Sequence, residues 1–137
     1  MDRTYLLGEL QHAIMRVLWS TGEATVAEVT EALPRKHRRA LTTIATMLTK
    51  MEKKGVVAHK HEGRVFVYHP TVAEPKVKNS MIADLTEKLF DGDVTELVSH
   101  LLSDGDIDAK ELGRLQELIQ ERQREKKAKG DRGNARG

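Results

Sequence analysis

Six histidines, a set of closely spaced threonines followed by lysines, and a D-x-D-x-D run are the residues of this 137-residue chain whose types could do chemistry. His59 and His61 alternate with Lys60 and so share a strand face, with His69 toward the far end of the next extended run. At that spacing two imidazoles could converge on a metal. No carboxylate or thiol is placed to complete such a site, and no metal ligand is assigned. Asp104, Asp106 and Asp108 lack the glycine and the terminal glutamate of a calcium loop and read as loop and helix-capping residues. The chain has no cysteine, which removes disulfides, thiolate metal sites and thiol catalysis. It has no G-x-S-x-G, P-loop or H-E-x-x-H pattern. Neither an enzyme nor a cofactor is expected.

What remains is surface chemistry toward an anion. Along Ala40 to Gly55 (ALTTIATMLTKMEKKG), Leu41, Ile44, Leu48 and Met51 recur at helical spacing with Met47 beside them, while Thr42, Thr46, Thr49 and Lys53 take the opposite side. Gly55 suits the end of that helix. A face of short hydroxyl side chains permits close approach. Threonine offers a methyl group to the thymine methyl and a hydroxyl to base or phosphate atoms. Thr42, Thr43, Ala45 and Thr46 are therefore expected to read base edges of double-stranded DNA. Lys50, Lys53, Arg38, Arg39 and Arg64 are expected to hold phosphates, which sets register rather than sequence preference.

Charge is segregated in a way that the net value of +2 conceals. Residues 35–64 hold nine Lys or Arg against two acids, residues 80–121 hold eleven acids against three, and the stretch from Arg122 onward is again basic. A basic first half fits a polyanion that would repel the acidic segment, so only one part of the molecule is expected to touch nucleic acid. Aromatic content is 4%, so the core must come from Leu, Ile, Val, Met and Ala, which favours helices. No apolar run approaches the roughly 20 residues that span a bilayer. A cytoplasmic protein without direct membrane association is expected.

The elements that must position these residues are legible in order. Leu10, Ala13, Ile14, Val17 and Leu18, with Trp19, mark a first core helix from Glu9 to Thr21, closed by Gly22. Thr25 and Glu28 form a capping box for a second helix that Pro34 ends. The basic turn PRKHRR leads to the Ala40–Lys54 helix, giving helix, turn, helix. After Gly55 the period becomes extended, VVAHK and RVFVYH joined across Gly63 as a two-stranded hairpin that Pro70 ends. Three helices and a hairpin predict a winged helix-turn-helix over residues 1–73, in a chain that is mainly α.

Pro75 suits the first turn of a fourth helix, Asp93 with Glu96 opens a fifth, and Asp108 with Glu111 opens a sixth. Their stripes are Val77, Met81, Leu85 and Leu89, then Leu97 and Leu101, then Leu112, Leu115, Leu118 and Ile119. Short amphipathic helices with acidic outer faces need a partner for such stripes, and a second copy supplies it. Residues 74–122 are thus expected to be a helical homodimerisation module. Residues 123–137 are expected to be a basic, disordered tail, either simply solvated or making a second electrostatic contact to DNA. The other class of reading is a winged helix whose basic face docks an acidic protein, or a metal-responsive repressor.

The E-x-x-x-A-I-M-x-V-L-W pattern of Glu9 to Trp19 carries a family resemblance, as do T-V-x-E-V at Thr25 to Val29, T-T-I-x-T-x-L-x-x-M-x-K-K-G-x-V at Thr42 to Val57, and the short wing with Tyr68 and Pro70. Residues 7 to about 122 resemble the BlaI/MecI/CopY penicillinase-repressor family. The resemblance implies a homodimeric repressor with one winged helix on each half of a palindromic operator, typically of a β-lactamase or penicillin-binding-protein operon. It also implies release when a membrane-bound sensor metalloprotease cuts the dimerisation module. Family alignment puts that cut at His100 and Leu101, where the best-known members carry Asn followed by Phe. The copper-responsive branch uses a Cys-x-Cys cluster that this chain lacks, and family members often carry a longer polar residue where Ala45 stands.

Overall fold

A computed structural model describes residues 5–135, and in it the first apolar stripe forms α1 (Glu9–Thr21). α1 delivers Ala13, Ile14, Met15 and Leu18 to the interior. It stops at Gly22, whose φ of 88° suits a residue without a Cβ and whose N–H donates to the Leu18 carbonyl. β1 (Ala24–Thr25) runs straight into α2 (Val26–Ala32) through the expected capping box. The Glu28 N–H donates to the Thr25 hydroxyl at 3.1 Å and the Thr25 N–H to the Glu28 carboxylate at 2.9 Å. That second bond holds the Glu28 carboxyl below its ordinary pKa. Pro34 then opens a single 3₁₀ turn at Arg35–His37, and α3 (Leu41–Lys54) follows. Gly55, at φ 84° and ψ 19°, ends α3 in the left-handed conformation.

β2 (Val57–Glu62) and β3 (Val65–Pro70) pair antiparallel across a tight turn at Gly63 and Arg64. The sheet has three strands rather than the expected two, in the order β1-β3-β2, because Ala24 and Thr25 pair with Tyr68 and Val67. In β2 and β3, His59 faces Tyr68 and His61 faces Phe66, so these four rings share one face. His69 faces Ala58 and lies on the other. α4 (Glu74–Phe90) completes the first compact unit, Met1–Asp93, and α5 (Val94–Asp104) and α6 (Ala109–Ala135) form the second, Val94–Gly137. Asp108 accepts the Glu111 N–H at 2.8 Å at the start of α6, as its capping pattern predicts. Among the described residues no helix is long and apolar enough to cross a membrane.

The core of the first unit draws Ile14, Met15 and Leu18 from α1, Val29 from α2, Ile44, Leu48 and Met51 from α3, and Val56 and Val57 from β2 and its approach. Trp19 lies at its edge and donates its indole N–H to the Val72 carbonyl at 2.9 Å. The segment before α1 is tied down as well. Leu7 is buried, the Tyr5 N–H donates to the Ser80 hydroxyl at 2.8 Å, and the Lys54 ammonium donates to the Leu6 carbonyl at 3.0 Å.

The structure departs from expectation at four points. Val77, assigned to the dimer face, has no exposed surface and belongs to the core of the first unit, with Met81 packed against it. The unit boundary accordingly falls after Asp93 rather than near residue 73. An apolar stripe has the same period whether it faces its own domain or a second copy. α6 continues to Ala135 through residues expected to be disordered, since Arg, Gln, Glu, Lys and Ala are good helix formers and Arg122 pairs with Glu125 at 3.2 Å. Leu41, placed with the core stripe, is half exposed at the first position of α3. The burial of Val77 can be checked directly. Val77→Ala should lower stability by roughly 1–3 kcal/mol in chemical denaturation and leave the association state in sedimentation unchanged.

Candidate nucleic-acid interface

α3 has one buried row, Ile44, Leu48 and Met51, and this row fixes which residues face outward. Thr42, Thr46, Thr49 and Lys53 follow one another at helical spacing on the opposite side, all exposed, with Thr43 and Lys50 along one margin and half-buried Ala45 along the other. The Thr46 hydroxyl donates to the Thr42 carbonyl and the Thr49 hydroxyl to the Ala45 carbonyl, both at 3.0 Å. With its proton bound inside the helix, Thr46 offers a methyl group and an acceptor oxygen outward, whereas the Thr49 hydroxyl also meets Tyr68. Ala40 provides no side-chain cap and the first turn of α3 carries no acid, so the positive end of the helix dipole is left for an outside anion. Thr49, at the middle of this face, is the outward residue that the base-reading assignment omitted.

The cations divide into two groups. Lys50, Lys53 and Arg64 are exposed and have no ion pair among the described residues. Arg64 follows Gly63, whose φ of +63° makes the sharp turn at the hairpin tip. Arg38 and Arg39 are instead engaged with the turn that precedes α3. The Arg38 guanidinium donates to the carbonyls of Glu31 at 3.0 Å and Leu33 at 3.3 Å, closing the C-terminal end of α2. Arg39 donates to the carbonyls of Lys36 at 3.3 Å and Arg38 at 3.0 Å. Lys54 is held by Leu6 and by the Gln11 side-chain carbonyl at 2.7 Å. Lys60 is paired with Glu23 at 2.9 Å, and this bond, with the charge of Glu23, raises the ammonium pKa.

α3 is coupled to the hairpin through Glu52. Its carboxylate lies 2.6 Å from Nδ1 of His59, and the His59 ring stacks on Phe66 with centroids 4.2 Å apart. Sequence reasoning saw no acid near the wing histidines, because Glu52 is on α3 and reaches β2 only in the folded domain. Tyr68 lies beside this contact. Burial raises its phenol pKa, a Thr49 hydrogen bond opposes the shift, and Glu52 adds to it. His59 and His61 lie side by side with ring centroids 5.6 Å apart, His69 lies on the other face of the sheet, and no cluster of three potential metal ligands exists among the described residues.

An exposed helix face of short side chains and free cations, flanked by a hairpin with an arginine at its tip, suits the groove and backbone of a duplex. The class is that of winged-helix DNA-binding proteins. The family model for the penicillinase repressor matches residues 7–121, and the chain belongs to that family of DNA-binding transcriptional repressors, which are not enzymes.

The penicillinase repressor of Bacillus licheniformis is 26% identical over 127 residues, covering 93% of this chain and 99% of the relative. The methicillin resistance regulatory protein MecI of Staphylococcus aureus is 22% identical over 118 residues, covering 86% and 96%. The transcriptional regulator BlaI of Mycobacterium tuberculosis is 34% identical over 85 residues, covering 61% and 62%. Among solved structures, the DNA-binding domain of the repressor BlaI is similar at 33% identity and a TM-score of 0.48, covering 56% of this chain and 93% of that one. Monomeric Bacillus licheniformis BlaI bound to the blaP half-operator is similar at 33% identity, a TM-score of 0.47 and the same coverage, 56% and 93%.

Two measurements separate the roles of these residues. Lys50→Ala or Arg64→Ala should weaken binding to every duplex alike and reduce the salt slope by about 1, whereas Thr46→Ala should change preference at one base-pair position by roughly tenfold in an operator library. Arg38→Ala should act on the fold instead. It should lower unfolding free energy by about 1 kcal/mol through its lost carbonyl bonds, with a smaller effect on the salt slope than Lys50→Ala.

Proposed function

We propose that the protein is a cytoplasmic homodimeric repressor that occupies a palindromic operator, with one winged helix on each half-site. Thr42, Thr43, Ala45, Thr46 and Thr49 read bases, and Lys50, Lys53 and Arg64 hold phosphates. Arg38 and Arg39 contribute mainly by fixing the turn that aims α3. The relatives named for penicillinase and methicillin resistance support a β-lactamase or penicillin-binding-protein operon as the target.

The observation that carries the dimer is the apolar surface of the second unit. Leu101 is 57% exposed in α5, and Leu118 and Ile119 are 61% and 55% exposed in α6, with Leu112 and Leu115 continuing the row. Leu97 is half buried beside them, and Leu85 and Leu89 add exposed apolar area on α4. Helices that leave such rows in water are stabilised by a second copy, in which each row meets its symmetry mate. Pairing also makes the second half-site contact intramolecular, so loss of the dimer lowers operator affinity steeply. Leu115→Glu with Leu118→Glu should give a monomer in sedimentation and weaken operator binding by about 10²-fold. A variant that stays dimeric would overturn this assignment.

Release by a membrane-bound sensor metalloprotease would act in the same unit. His100 and Leu101 are exposed but lie inside α5, so the bond between them must leave the helix before a protease can hold it extended. Mass measurement of the repressor from cells exposed to a β-lactam tests this. A cut after His100 supports it, and an intact chain that has left its operator overturns the cleavage while leaving the dimeric repressor standing.

A further inference from the structure

We propose that residues 122–135, the C-terminal half of α6, are a second DNA-binding surface that grips duplex outside the contacts made by α3 and the wing. The inference rests on the protein being a DNA-binding repressor and extends it to a part of the chain that the family match, which ends at residue 121, does not include. The apolar row of α6 stops at Ile119. Beyond it the sequence holds Arg122, Arg124, Lys126, Lys127, Lys129 and Arg132 against Glu125 and Asp131, and its only apolar side chains are Ala128 and Ala135. Every residue from 122 to 130 is exposed. Such a helix has no face to bury against another protein.

Its charges are also largely free. Glu125 pairs with Arg122 at 3.2 Å, and Arg124, Lys126, Lys127 and Lys129 have no ion pair among the described residues. Arg122 and Lys126 are four residues apart and Lys126 and Lys129 three, so neighbouring cations repel along the helix. A polyanion removes that repulsion. Cations arranged all round a helix of roughly 20 Å suit a phosphate backbone, which needs neutralisation rather than a fixed register. The absence of bulky apolar residues disfavours a lipid interface, which amphipathic helices enter through such side chains. The covalent link to the winged helix adds a further reason. Once α3 holds DNA, the covalent link raises the effective concentration of the tail toward the same duplex.

The test uses the full chain, with Lys126→Gln, Lys127→Gln and Lys129→Gln combined, titrated with salt on an operator duplex and on a random duplex of equal length. Each lost phosphate contact removes about 0.9 from the slope of log affinity against log salt, so the slope should fall by roughly 2–3 per chain on both duplexes. The ratio of operator to random affinity should be unchanged, and the matching Lys→Arg triple variant should behave as the unaltered protein. That ratio in the unaltered protein reports separately on the repressor reading, so the two ideas fail independently. An unchanged slope, or a change seen on the operator alone, would overturn the tail as a general DNA grip. So would loss of binding to phosphatidylglycerol vesicles with both DNA slopes intact, which would assign the tail to a membrane surface.

Discussion

The contact of Ile44, Leu48 and Met51 with the core built from Ile14, Leu18 and Val29 is the one on which the first unit depends. Each of these side chains is fully buried, and burying one such side chain contributes roughly 1.5–3 kcal/mol. Rolling α3 about its axis would expose that row, so its orientation is set by the largest energy in the neighbourhood. Thr42, Thr46 and Thr49 then point outward as a consequence, at the angle that helical spacing dictates. Weaker bonds hold the two margins, Glu52 to His59 on the hairpin side and Lys54 to Leu6 on the other. The outward face of α3 is held in place because its reverse is part of the core.

The positive charges show how little a residue type says about its use. Arg38, Arg39, Lys54 and Lys60 all lie in the basic half of the chain, and each is engaged with a carbonyl or a carboxylate of the same domain. Lys50, Lys53 and Arg64 have the same chemistry and remain available. The first group fixes the turn and flanks of α3, and the second is left for an outside anion. A guanidinium is well suited to the structural role, because one planar group donates to two carbonyls at once.

The second unit poses a different physical problem. α6 begins at the Asp108 cap, yet α5 and α6 keep large aliphatic side chains in water. The exposed threonine face of α3 and the exposed apolar rows of α5 and α6 therefore lie in separate stretches of the chain. The charge follows the same separation, with acids concentrated along residues 80–121 and cations on either side.

Much of this was legible in the sequence, for a definite reason. The helical period of α3, the Thr25 and Glu28 box, the Asp108 cap, the stop at Gly55 and the hairpin at Gly63 are all set by residues within a few positions of one another. Spacing along the chain reports such interactions directly. What only the tertiary structure decided lies where the partner is distant. β1 exists because β3 offers it an edge, Val77 is core because the first unit needs it to close, and Glu52 meets His59 across the α3–β2 junction. The helical extension past Arg122 is local, but its Gly, Lys and Arg content resembles that of a coil, and periodicity has nothing to report where there is no apolar face. A chain's pattern says that a face must be covered or a charge compensated, and only the fold says by what.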